Sequence, residues 1–338
     1  MARITYKKIS CALFLSLLGL SSNSYAMDAT AFIKDLFTVA GGKAVDANEG
    51  KDLSKFMNAR NCRGHYTWGE PYIKNPLIVS RMLFICKGNF ALHYDPKNKM
   101  PISTSEIVAL NGFHYINNNT PLNAKFMLDS TVPSRMQVSP EDYLNSIYTP
   151  VQLASVYNVR TQDLQSEPPQ FIQHHFDFTN TVPMVRDNLA NTIWQELENQ
   201  VRVYSLKKDS VYITTGVIYL NGQNNGKLKK SEAVIPTHFY KIITDSFSLG
   251  TVSYIIPNKE IYTTKTKKLN DPKNAVMCNG GPCTLSNFIV PIQEVERLTQ
   301  TEFYPDLAPE TTVKVKLDPN EINKLERQKK ERELEGQL

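Results

Sequence analysis

Asp187-Asn188-Leu189-Ala190-Asn191-Thr192-Ile193-Trp194-Gln195-Glu196-Leu197-Glu198-Asn199-Gln200-Val201-Arg202-Val203-Tyr204 sets Leu189, Ile193, Trp194, Leu197 and Val201 at helical spacing, which predicts one amphipathic helix. Downstream, Ser210-Val211-Tyr212-Ile213-Thr214-Thr215-Gly216, Phe239-Tyr240-Lys241-Ile242-Ile243 and Val252-Ser253-Tyr254-Ile255-Ile256 are short β-rich runs separated by polar turns. Upstream, Val79, Met82, Phe84 and Cys86 form one alternating run and Phe90, Leu92 and Tyr94 another, hinged at Lys87-Gly88-Asn89 as a hairpin. After the turn-forming Asp95-Pro96-Lys97-Asn98-Lys99, Glu106-Ile107-Val108-Ala109-Leu110 reads as a further strand. Strands on both sides of one central helix argue for an α+β domain with a central antiparallel sheet flanked by helices. A parallel nucleotide-binding sheet would need alternating helices and a glycine-rich turn, and both are missing.

The 338 residues are 41% hydrophobic and 21% charged, which suits a chain that buries a core and excludes a disordered or collagen-like one. Residues 1–26 combine a basic start, an apolar run from Ile9 to Leu20 and Ser24-Tyr25-Ala26 before Met27, the pattern of a signal peptide. An exported chain, periplasmic or secreted, is the expectation. The apolar run is too short for a retained membrane helix. Removing Arg3, Lys7 and Lys8 leaves 35 basic against 33 acidic residues, so the mature charge of +2 names no polyanionic partner by itself. Residues 27–79 form an N-terminal extension with a helix suggested by Phe32, Ile33, Leu36, Phe37 and Val39; 80–300 hold the domain; 301–338 are a charged tail. From Asp318 onward the tail carries six acids and five bases, a solvated face that could also meet an envelope protein.

Export leaves four cysteines, Cys62, Cys86, Cys278 and Cys283, in a compartment that permits oxidation. Cys278-Asn279-Gly280-Gly281-Pro282-Cys283 is a turn whose ends can meet, which favours a local bridge there and Cys62–Cys86 by elimination. Three pairings remain formally possible.

Several segments, in order, resemble the DNA/RNA non-specific endonuclease family, the ββα-metal nucleases. Phe90-Ala91-Leu92-His93-Tyr94-Asp95-Pro96-Lys97-Asn98-Lys99-Met100-Pro101 is similar to the family's early hairpin. Leu128-Asp129-Ser130-Thr131-Val132-Pro133 and Ser139-Pro140-Glu141-Asp142-Tyr143-Leu144-Asn145-Ser146-Ile147-Tyr148 resemble the approach to its catalytic motif. The Trp194 helix, Val211–Gly216 and Ile235-Pro236-Thr237-His238-Phe239-Tyr240-Lys241 follow in the same order, so the resemblance spans roughly residues 80 to 260. It implies a ββα-metal fold, Mg²⁺ if the protein is active, and nucleic acid as partner.

The chemistry departs from that pattern. After Tyr148 the family reads Asp-Arg-Gly-His, whose His is the general base, whereas this chain reads Thr149-Pro150-Val151-Gln152. An amide has no pKa in the useful range, so Gln152 can orient water but cannot take its proton. The family's metal-binding Asn, four residues before the Trp, is Ala190 here; Asn191 is one residue further on, about 100° around the helix. Glu198 and Arg202 do match the family's Glu and Arg, with an ordinary i, i+4 ion pair as the plain alternative. Candidate replacement bases are His174 and His175, which strand alternation would place on opposite faces, and His65 of Cys62-Arg63-Gly64-His65, which precedes the matched hairpin. His238 reads as a packed structural residue. Lys229, Lys230, Lys265, Lys267 and Lys268 are candidates for phosphate contact or simply solvated surface.

Two function classes follow: a catalytically degenerate binding or structural module, and an active sugar-non-specific nuclease with a rearranged site that uses one of those histidines, with Glu198 or Asn191 for the metal.

Overall fold

The structure is a computed structural model that describes residues 59–109, 124–159, 172–186, 193–205, 210–245, 250–263, 273 and 275–306. The expected signal peptide, the helix expected near Phe32, Ala190, Asn191, Lys265, Lys267, Lys268 and the tail from 307 lie outside the described residues. In chain order the strands are β1 (Tyr72–Ile73), β2 (Leu83–Cys86), β3 (Ala91–Asp95), β4 (Met100–Ala109), β5 (Tyr148–Gln152), β6 (Thr181–Val185), β7 (Ser210–Ile218), β8 (His238–Asp245), β9 (Thr251–Pro257), β10 (Ile289–Val290) and β11 (Thr301–Glu302). The helices are α1 (Pro76–Val79), α2 (Ile193–Ser205) and α3 (Ile292–Thr299). None of them is long and apolar enough to cross a membrane.

Seven strands make one antiparallel sheet in the order β10-β9-β8-β7-β4-β3-β2, and β5 and β6 make a separate antiparallel pair. Successive strand residues point to opposite faces, and this alternation divides the core in two. On one face Val211, Ile213, Phe239, Ile243, Val252 and Tyr254 pack with Ile193, Trp194, Leu197 and Val201 of α2. On the other, Ile218, Tyr240 and Ile242 pack with Val295 of α3 and with Phe303. Truncating Trp194, whose ring stands edge-on to Phe239 with centroids 5.8 Å apart, would cost about 3–5 kcal/mol. The expected α+β sheet flanked by helices is therefore present.

The hairpin turns where the alternation placed it, but its first strand begins only at Leu83, because Val79, expected in that strand, ends the α1 helix. Cys86 pairs with Ala91, and Gly88 supplies the positive φ of 83° that the turn requires. The strand expected from Glu106 begins earlier, at Met100, because residues 103–105 pair with β3 on one side and β7 on the other. Pro101 and the Ser-Thr-Ser run disguise it; the proline is tolerated opposite Tyr94, where the register shifts. Gly216 is obligatory for a different reason: a Cβ there would meet the Ile102 carbonyl oxygen and the Tyr240 hydroxyl.

Both favoured disulfides are formed, Cys62–Cys86 and Cys278–Cys283. Residues from 59 to 79 and from 301 to 306, assigned by sequence to extension and tail, join the folded unit. Tyr72 and Ile73 pair with Glu302 and Thr301, and the Asp306 amide donates to the Trp68 carbonyl at 3.1 Å.

Candidate functional site

Gln152 ends β5, paired with Thr181 at the start of β6. The chain then turns under the control of one buried amide. Asn180 accepts from the Ala154 N–H at 3.0 Å and donates to the carbonyls of Ala154 and His175, both at 3.0 Å. The Gln152 Oε1 accepts from the Val156 N–H at 3.3 Å, while its Nε2 is buried without a partner. Val156–Asn158 form one 3₁₀ turn. This turn carries the segment against α2: the Arg202 guanidinium lies 5.8 Å from the Tyr157 ring centroid, and Asn158 Nδ2 donates to Glu106 Oε1 at 2.8 Å.

Glu198 and Arg202 share a helix face one turn apart, and their i, i+4 pair is present at 3.8 Å. The closer partner of Glu198 is Lys241 of β8, whose ammonium lies 2.8 Å from Glu198 Oε1. Neither Glu198 oxygen receives a well-directed hydrogen bond, so the contact is Coulombic. Lys241 donates to Thr215 at 2.8 Å and sits 5.1 Å from the Trp194 ring centroid. Burial pushes the Glu106 carboxyl up to about 8; the Lys241 ammonium opposes this and the Glu198 charge adds to it. Burial thus favours the neutral acid form of Glu106 beside the Lys241–Glu198 pair.

Glu106, Asn158 and Lys241 were not singled out from the sequence. Two of them leave a trace there: Lys241 alternates with Phe239 and Ile243, and Glu106 with Val108, so each puts a charge where the strand period calls for an apolar inward residue.

The replacement bases fare differently. His174 and His175 lie in a 3₁₀ turn, His174–Phe176, and not in a strand. The alternating Phe176 and Phe178 that follow them both pack their rings on Phe126. His175 is fully buried, its ring nitrogens engaged by Asn89 and by the Ala154 carbonyl at 3.1 Å, and burial pushes its pKa down to about 4. His174 Nδ1 lies 3.1 Å from Asp177. His65 hydrogen-bonds the Gly88 carbonyl at 2.7 Å and lines a small cavity with Tyr212, Ile242 and Tyr304, on the sheet face away from α2. His238 is half-buried against the Thr237 hydroxyl at 3.0 Å. Lys229 and Lys230 are exposed, on a loop held by Asp142, which accepts from the Lys230 N–H.

A divalent cation meets an unfavourable donor set. The Glu198 carboxylate already faces an ammonium, Gln152 presents an N–H toward its buried surroundings, and no three His, Cys, Asp or Glu side chains converge among the described residues. The described residues do not fit Mg²⁺.

Comparison with known proteins gives the same lineage as the motifs. The chain is 23% identical to bovine mitochondrial endonuclease G over 65% of its own length and 69% of that protein. It is 25% identical to the Caenorhabditis elegans endonuclease G over 67% of this chain and 69% of the relative. With the mouse mitochondrial nuclease EXOG it shares 24% identity, but the match spans only 56% of that protein. A solved structure of an EndoG/EndoGI complex has a chain that superposes with a TM-score of 0.53 at 23% identity, covering 67% of this chain and 86% of that one. The family model for DNA/RNA non-specific endonucleases matches residues 72–310. The chain thus belongs to the DNA/RNA non-specific endonuclease family.

Proposed function

We propose that this is an exported, catalytically degenerate member of the family: a nucleic-acid-binding module that keeps the scaffold and has lost hydrolysis. One observation carries the reading. The side chain that ends β5 is an amide whose oxygen is spent on the Val156 N–H, so the position of the general base holds a group that braces its own loop. Loss of general-base catalysis alone is worth about 10²–10⁴-fold. Supporting it, Glu198 is neutralised by Lys241, and His175, placed beside the loop, uses both ring nitrogens in hydrogen bonds. The two disulfides support export to an oxidising compartment.

The test is to incubate the purified chain with plasmid and RNA in Mg²⁺ or Mn²⁺, with and without chelator, and to measure oligonucleotide binding in parallel. Binding without cleavage is expected, together with a gain of chelator-sensitive cleavage in a Gln152→His, Ala190→Asn double variant. Chelator-sensitive cleavage by the unaltered protein that survives Gln152→Ala would overturn the reading.

A further inference from the structure

Between β2 and β3, the turn Lys87–Phe90 is held from several sides. The Cys62–Cys86 bridge closes its entrance, His65 donates to the Gly88 carbonyl at 2.7 Å, and the Lys87 N–H donates to the Phe90 carbonyl at 2.9 Å. The Lys87 ammonium reaches Asp129 at 2.8 Å and Asp177 at 2.9 Å. From this fixed turn Asn89 reaches out to His175, whose ring also packs on Phe90 with centroids 5.1 Å apart.

Proton positions follow from the partners. The Ala154 carbonyl can only accept, so Nδ1 of His175 carries the hydrogen. In a neutral imidazole Nε2 is then an acceptor, and Asn89 must present its NH₂ to it. The ring is a fixed-polarity link: amide to imidazole to carbonyl. That carbonyl belongs to Ala154, two residues after Gln152, and it also accepts from Asn180.

We propose that His175 is a positioning residue: with Asn89 it transmits the geometry of the disulfide-pinned β2–β3 turn to residues 152–158, the segment that presents Gln152, Tyr157 and Asn158 at the site. The inference rests on the reading of that segment as the binding site, yet its first measurement uses no nucleic acid. In the full chain, Asn89→Ala and His175→Leu break the link, whereas His175→Gln restores it, since one amide can donate to Ala154 and accept from Asn89. Amide hydrogen exchange at 153–158 should accelerate about five- to tenfold in the first two variants and return toward the parent value in the third, with β7 and β8 unchanged. Affinity for a labelled single-stranded oligonucleotide should follow the same order, weakening by about three- to tenfold.

Unchanged exchange at 153–158 in folded Asn89→Ala would overturn the proposal, as would a His175→Gln variant as loose as His175→Leu. Should His175→Leu fail to fold, Asn89→Ala decides alone, because Asn89 sits in a surface turn. If the parent protein binds no oligonucleotide, the proposed function fails while the exchange data still judge this link.

Discussion

Two lysines are buried among the described residues, and they are surrounded very differently. Lys87 faces two carboxylates, and the first of these, Asp129, is saturated: it accepts from Thr179 at 2.7 Å, from the Thr131 N–H at 2.9 Å and from the Thr131 hydroxyl. Burial alone would raise the Asp129 carboxyl, but the Lys87 ammonium and these donors outweigh it and hold the group below its ordinary value. Lys241 faces Glu198 without directed hydrogen bonds, beside a Glu106 that burial has driven toward neutrality and an Asn158 whose Oδ1 is buried without a partner. The first group behaves as a rivet between the hairpin and the loops at 129 and 177. The second leaves buried polar atoms of Glu198 and Asn158 without directed partners.

The contrast can be broken most directly at Lys87. Lys87→Met leaves Asp129 and Asp177 buried without their cation and should lower stability by about 3–5 kcal/mol in urea titrations. Lys241→Met should cost less, about 1–3 kcal/mol, because Glu106 is already largely neutral and Arg202 remains beside Glu198. Equal losses would erase the distinction.

Glu106 sharpens it. A carboxyl whose folded pKa is raised from 4.5 to about 8 binds its proton more tightly in the folded chain, so stability falls as pH rises through that window. Glu106→Gln keeps the acceptor for Asn158 and should flatten the decline, leaving the variant the more stable protein at pH 9 by about 1–3 kcal/mol. Thermal melts at pH 6 and pH 9 read this out. A variant that is less stable at pH 9 would mean the acid is charged and useful.

The smallest effect lies on the acid side. His175, held near 4 by burial, and His65 and His238, both depressed by burial, take up protons on unfolding. Stability should therefore fall as pH drops from the ordinary histidine value of 6.5 toward 4, and His175→Gln should remove part of that slope. The Asp129 contribution should persist until the pH falls below the ordinary carboxylate range.

Sequence legibility follows the same division. The α2 helix, the hairpin turn and the Cys278–Cys283 bridge could be read because their signals are local: a 3.6-residue stripe, two alternating runs around a glycine, and cysteines on a tight turn; Cys62–Cys86 followed by elimination. Lys87 reads as a solvated turn residue because Asp177 lies 90 positions further along. Likewise, Glu198 and Arg202 announce an i, i+4 pair, while Lys241, which lies closer to Glu198, arrives from a strand after the helix. Gln152 stands in the sequence where the family motif has its His, but the use of its oxygen to brace Val156 depends on the turn that Asn180 imposes. The His174-His175 pair was read as strand because Phe176 and Phe178, two residues apart, mimic that period, whereas His174–Phe176 form a 3₁₀ turn.

The pairing of β1 with β11 joins Tyr72 to Glu302 across almost the entire matched region. A chain emerging from the ribosome must therefore hold Tyr72 and Ile73 in waiting until residues 301 and 302 have been delivered. Release before residue 300 would leave that seam unsewn and the apolar Ile73 open to chaperones and proteases, so delivery of β11 is itself a checkpoint for this molecule.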